Sequence, residues 1–362
     1  MKRKQEIYAR ELHEELRATF YGKQKSISRL LKKFNIDKNK ENVEILIKGS
    51  GVHWQCLVTK SGIGCNIDCF DFNMLDIAYK GPEFSTSFLI KEKSIAEGRT
   101  FDKVETIAAV KSWIQYKDIH KLYTEFDFID KNKRKLKKNR VQILAAHPEL
   151  CKISENEVIE EASSIYGLWF KNDNRSCRMN FCGYEPTPQI FFNWDDSLMF
   201  KTSHDDIDRE GILIKRWVFD KANPSVLRKE FPDINFGKLA DFYEAGNKIE
   251  GEFLLSWDDV EEFYNNVNID SIKGIISFIK ELRNRGYDKV FRAGTSLYSL
   301  VLSRSKRHGL REDQKSITFS FAYIESKMEV YTLKESILEF EKIEYDGTIE
   351  ALLKELECEA ID

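Results

Sequence analysis

The sequence predicts an α+β protein in two parts. A basic N-terminal domain, residues 1–147, combines an antiparallel meander with helices. An acidic C-terminal domain, residues 148–362, combines mixed strands with a helical middle. Three observations predict this. Apolar residues recur at helical spacing early in the chain and alternate with polar ones soon after. Residues 1–140 carry 29 Lys/Arg against 19 Asp/Glu, and the remainder reverses that balance within a formal net charge of −3. A chain of 362 residues, 42% hydrophobic and 12% aromatic, is long enough to bury two cores.

Tyr8, Leu12, Leu16 and Phe20 share one face of a first helix. Ser26 is then placed to cap a short helix holding Leu30, Leu31 and Phe34. Val43–Lys48 and Val52–Lys60 are β-rich runs joined by Gly49-Ser50-Gly51, a hairpin signal. Further strands are expected at Cys65–Phe72, Asp76–Lys80 and Ser87–Glu97, completing the meander. Helices follow around Val104–Ile114 and Ile119–Phe126 and over 130–146, where Pro148 ends the run. In the acidic part, strands are expected at Ile165–Lys171, Arg178–Cys182, Gln189–Asn193 and Leu198–Thr202. Residues 206–286 read as mainly helical. Strands return at Lys289–Arg292, Ser316–Tyr323 and Lys327–Leu333, before a last helix at Thr348–Glu357.

Several function classes are set aside. The aromatic content and balanced charge argue against disorder, 18 Gly and 6 Pro against a collagen-like repeat. No apolar run reaches the roughly 18 residues of a membrane span. The basic start has no apolar stretch behind it, and seven cysteines at low density suit free thiols, so a cytosolic protein is expected. The chain has no phosphate-binding loop, dinucleotide fingerprint, HExxH, GxSxG, kinase or deaminase pattern. Glu325-Ser326-Lys327 fits only part of a nuclease pattern, since Pro232-Asp233 lies far upstream. His53, Cys56, Cys65 and Cys69, with Cys177 and Cys182, lack the tight spacing of a zinc knuckle and read as buried thiols. No metal and no cofactor is implied. His204 beside Asp205 and Asp206, and His308 near Asp313, are the clearest His–acid neighbours.

Three constellations remain. Arg292, Arg304, Arg307, His308 and Arg311 make a basic stretch in the acidic half. Read as a helix starting at Thr295 or Ser296, it would gather these cations at the C-terminal end as an anion site. Lys131, Lys133, Arg134, Lys135, Lys137, Lys138 and Arg140 fall within ten residues that hold no acid, a pattern suited to a nucleic-acid backbone. Asp258, Asp259, Glu261 and Glu262 follow Trp257, an acidic and aromatic surface suited to a basic protein partner. Ser256 would cap that helix.

The function expected from this balance is a cytosolic, non-catalytic protein-interaction factor of an immunity or defence-associated kind. The alternative is a nucleic-acid or nucleotide-binding protein, of phosphodiesterase or nuclease type, using the basic clusters at 131–140 and 292–311.

Overall fold

The computed structural model describes residues 2–21, 43–50, 53–71, 82–155, 167–181, 186–267, 272–307, 310, 314–321, 327–332 and 335–361. Among them are helices and three five-stranded antiparallel sheets, an α+β fold. No helix among the described residues is long and apolar enough to cross a membrane. The chain divides into two compact units, Met1–Lys138 and Asn139–Asp362.

In the first unit, α1 (Lys2–Tyr21) precedes a meander of β1 (Glu44–Ser50), β2 (His53–Lys60), β3 (Ile63–Asp71), β4 (Pro82–Ile90) and β5 (Lys93–Thr100), hydrogen-bonded in that order. The run Ser87–Glu97, expected as one strand, is two. Lys91 and Glu92 take φ of 47° and 68° and turn β4 into β5, so a hairpin turn is made by charged residues that give no turn signal. The expected strand Asp76–Lys80 and the helix after Ser26 lie outside the described residues. Ala9, Leu12 and Leu16 of α1 are fully buried with Val58, Ile67 and Phe88 of the sheet. α2 (Lys103–Tyr116) adds Trp113, whose indole donates to Gly64 O at 3.0 Å. Asp102 caps α2 by accepting from Val104 N and Glu105 N, and Asp118 does the same for α3 (Ile119–Glu125). α4 (Lys131–Ala146) contains the division between the units.

In the second unit, a 3₁₀ turn (Pro148–Lys152) leads to β6 (Ser154–Glu155), β7 (Gly167–Asn172), β8 (Arg175–Asn180), β9 (Gln189–Trp194) and β10 (Ser197–Ser203), one sheet. Asp206 caps α5 (Ile207–Ile214), which runs into a π-turn (Lys215–Phe219) that buries Trp217 among Phe192 and Phe200. α6 (Pro224–Glu230), α7 (Gly237–Glu244), α8 (Lys248–Asn265) and α9 (Ile272–Asn284) form the helical middle. The last sheet orders β11 (Arg292–Ser296), β12 (Ser299–Ser303), β13 (Ser316–Phe321), β14 (Met328–Thr332) and β15 (Glu335–Phe340), and α10 (Gly347–Glu357) completes its core.

Three local expectations change here. The helix expected from Thr295 or Ser296 is instead the β11–β12 hairpin, because Leu300 and Leu302 alternate inward at strand period. Tyr287–Lys289 is a 3₁₀ turn, and the strand begins only at Arg292. Ser256 lies inside α8 and not at its start. Its hydroxyl donates to Phe253 O at 2.6 Å and accepts from Ala293 N at 2.9 Å.

Candidate functional site

α4 holds the densest run of basic residues in the chain, and its N-terminus is fastened at several points. Asp130, at φ 49°, donates its N–H to Glu97 O at 2.6 Å and accepts from Glu97 N at 3.1 Å. Asp tolerates the left-handed region better than most side chains. The other Asp130 oxygen accepts from Tyr123 Oη at 2.6 Å. Burial and the Asp130 carboxylate push the Tyr123 phenol above its usual value, so it stays a donor. The Arg134 guanidinium lies 5.1 Å over the Tyr123 ring and donates to Tyr123 O at 2.7 Å and Asp127 O at 2.8 Å. Arg134 is therefore occupied in holding the helix start.

Lys131, Arg134, Lys135 and Lys138 stand at i, i+3, i+4 and i+7, one face of the helix. With Asp127, whose side chain is 99% exposed, they line an open hollow of about 540 Å³. Leu136 and Asn139 are buried on the inward side; Lys133 and Arg140 flank it half-buried, and Lys137 is exposed. Among the described residues no carboxylate pairs with Lys131, Lys137 or Lys138. Uncompensated ammonium groups on a fixed helix face are a ready surface for phosphate oxygens.

The basic stretch after β11 has a different geometry. Arg292 ion-pairs with Glu252, which is 3% exposed and also accepts from Tyr243 Oη at 2.8 Å. Arg304 donates to Val290 O at 3.3 Å, and Arg307 to Asp196 Oδ2 at 2.9 Å. Arg292 also donates to Lys306 O at 3.3 Å, so the donors of the three go to four separate acceptors, and with no helix here there is no helix start to add backbone N–H groups. His308 and Arg311 lie outside the described residues.

The chain was compared with protein-family models, curated proteins and solved structures. It matches none of them.

The acidic constellation on α8 is divided. Trp257 is fully buried, its indole donating to Phe291 O at 2.9 Å. Asp258 and Glu261 ion-pair with Arg283 at 2.9 and 3.0 Å. Asp258, Asp259 and Glu262 are exposed. A tryptophan between acidic residues reads as surface; its spacing from Val260 and Tyr264 is the sequence signal for burial.

Other candidates resolve into structural roles. Cys56, Cys65 and Cys69 are buried on β2 and β3; Cys56 donates to Ala9 O, and burial pushes its thiol up to about 12. Cys182, Glu325 and Asp313 lie outside the described residues. Among the described residues no group of three His, Cys, Asp or Glu is placed to hold a metal. His204 Nδ1 accepts from Asp206 N at 2.9 Å, while Asp206 caps α5 and Asp233 pairs with Arg209. Asp195 and Asp196 pair with Lys248 and Arg307.

Two buried groups in the second unit have no sequence signal. Arg175, 2% exposed, lies between Trp194 and Trp217, with its guanidinium carbon 3.4 and 3.8 Å from their rings. Burial lowers it to about 10, opposed by Asp195 and Glu244. Glu210 is fully buried. Thr202 donates to one oxygen at 3.0 Å, and the other has no partner.

Proposed function

We propose that this chain is a cytosolic binding protein that acts without chemistry and engages the phosphate backbone of nucleic acid through α4. The observation that carries this reading is the stripe of Lys131, Arg134, Lys135 and Lys138 around one hollow, with no carboxylate paired to Lys131 or Lys138 among the described residues. Binding here is electrostatic. Lysine ammonium groups on flexible stems neutralise phosphates as point charges; near the helix start the Tyr123 ring is covered by Arg134, and Phe126 and Phe128 pack edge-to-face on each other within the core cluster. Base stacking has no platform at α4, so sequence and strandedness matter little there. The non-catalytic part of the reading is supported by the occupation of the acids in caps and ion pairs: Asp206, Asp233, Asp195, Asp196, Asp258 and Glu261.

The test is fluorescence anisotropy of a labelled duplex at about 50 mM salt. Replacing Lys131 and Lys138 together by Glu should weaken binding at least tenfold with an unchanged thermal midpoint. No binding by the natural chain at low salt, or equal binding by the variant, contradicts the proposal.

A second reading, capture of a basic protein partner in an immunity or defence-associated role, is favoured by the exposed carboxylates of Asp258, Asp259 and Glu262. Charge reversal at Asp259 and Glu262, which leaves the Arg283 pairs intact, should then abolish capture; unchanged capture counts against it.

A further inference from the structure

The sheet of β6 to β10 has two faces of different character. Its inward face buries Leu168, Phe170, Cys177, Met179, Ile190 and Phe192, each at most 4% exposed. The strand period sends the residues between them to the other side. There the register sets Trp169, Arg178, Phe191 and Lys201 in one row across β7, β8, β9 and β10. The next row is Lys171, Ser176, Asn193 and Leu198. Ring and cation therefore alternate across four strands, with a third cation in the adjoining row. The solvent side of an antiparallel sheet is ordinarily polar, and two aromatic rings depart from that rule.

The charges on this face are all of one sign. The outward positions of β7 to β10 hold no acid. The outward faces of the other two sheets do: Asp68 and Glu97 on the first, Glu329 and Glu339 on the last. Glu155 of the edge strand β6 stands in register with Trp169 and marks the limit of the face. Among the described residues no carboxylate pairs with Lys171, Arg178 or Lys201, whereas Arg209, Arg216 and Arg283 of the same unit are all paired. Arg178 Nε is buried without a hydrogen-bond partner, and the guanidinium carbon lies 5.0 Å from the Trp169 ring. Phe191 is half-buried and, among the described residues, meets no other ring. Lys171, Lys201 and Leu198 are exposed.

This face complements a chain of negative charges that also carries flat rings. Cations without a counter-charge suit phosphates. Trp169 and Phe191 suit bases, which stack on aromatic rings when splayed from a single strand, and a guanidinium plane can carry a base as well. A duplex keeps its bases stacked inside and has no use for such rings. We propose that the outward face of β7 to β10 is a platform for single-stranded nucleic acid, with bases stacked on Trp169 and Phe191 and phosphates neutralised by Lys171, Arg178 and Lys201. The platform is independent of the α4 reading.

The test is fluorescence anisotropy of a labelled oligo(dT) of about 15 nucleotides at about 50 mM salt. Phe191→Leu keeps the apolar bulk and removes the ring, and affinity should fall about fivefold or more. Lys171→Glu with Lys201→Glu alters two exposed residues and should weaken binding about tenfold or more at an unchanged thermal midpoint, which keeps the test decisive if Phe191→Leu unfolds. In the chain carrying Lys131→Glu and Lys138→Glu, oligo(dT) binding should persist and an unlabelled duplex should not compete. Ultraviolet crosslinking should map the strand to the peptides bearing Trp169 or Phe191. Loss of oligo(dT) binding in the α4 variant, unchanged affinity in both sheet variants, equal competition by duplex, or crosslinks mapped only elsewhere would each overturn the proposal. Tighter binding of heparin with the same loss in Phe191→Leu would assign the face to an acidic polysaccharide and overturn it too. Failure of the α4 reading shows instead as duplex binding indifferent to Lys131 and Lys138, so the two results separate.

Discussion

Glu210 is fully buried, with one carboxylate oxygen bonded by Thr202 and the other without a partner. Burial raises its pKa; Thr202, Arg209 and His204 work in the opposite direction, and Asp206 adds to the rise. A carboxyl raised in the folded state binds its proton more tightly there than in the unfolded chain. Its contribution is complete below the ordinary carboxylate range near 4.5 and is lost as pH rises through the folded value. Glu210→Gln, which cannot ionise, should therefore gain on the natural chain as pH rises from about 4 to 8, by about 1–3 kcal/mol. Parallel thermal midpoints across that range would contradict this. Arg292 gives the opposite case: a cation that satisfies a buried acid. Arg292→Met strands the Glu252 carboxylate and should cost about 3–5 kcal/mol in urea unfolding, with much of it recovered in the double variant with Glu252→Gln. A single-variant cost below about 1 kcal/mol would show that the pair is not structural. These roles were hard to read from sequence because Glu252 and Arg292 are forty residues apart. The aspartate caps at Asp102, Asp118 and Asp206 act within three residues of themselves and so are written locally.

The position of α4 depends on a close approach at Gly98. Gly98 bridges Ile129, and a Cβ there would lie 2.6 Å from the Phe128 ring. Gly98→Ala should push Phe128 and the Asp130 bonds away from β5. The expected cost is about 1–3 kcal/mol, with weaker duplex binding although no cation is touched. Unchanged stability and binding would show that the approach to Gly98 does not set the helix start. Legibility differs by element for physical reasons. α1 and β2 were readable because one face of each is buried, so the apolar period matches the geometry. The basic run on α4 is readable too, but the hollow is not: Asp127, which lines it, and Tyr123 and Asp130, which fasten the helix start, come from outside the run. The β11–β12 hairpin is hidden in the sequence because its turn carries Leu297 where glycine would mark it, and without that mark Thr295 or Ser296 reads as a helix cap. β4 and β5 merged for the same reason at Lys91-Glu92.

At the scale of the molecule, a formal net charge of −3 conceals a basic surface that the whole-chain balance does not suggest. The field near α4 is set by local ammonium groups, because charges beyond about 8–10 Å are largely screened at physiological salt. Association with a polyanion should therefore follow the count of phosphates neutralised at α4, not the net charge of the chain. The direct measurement is the salt dependence of duplex binding, plotted as log affinity against log salt, for the natural chain and for Lys131→Gln with Lys138→Gln. Three to four neutralised phosphates predict a slope of about −3 to −4, and removing two cations should flatten it by about 2 while stability stays the same. A slope near zero in the natural chain, or the same slope in both proteins, would contradict the assignment of α4 as a nucleic-acid backbone surface.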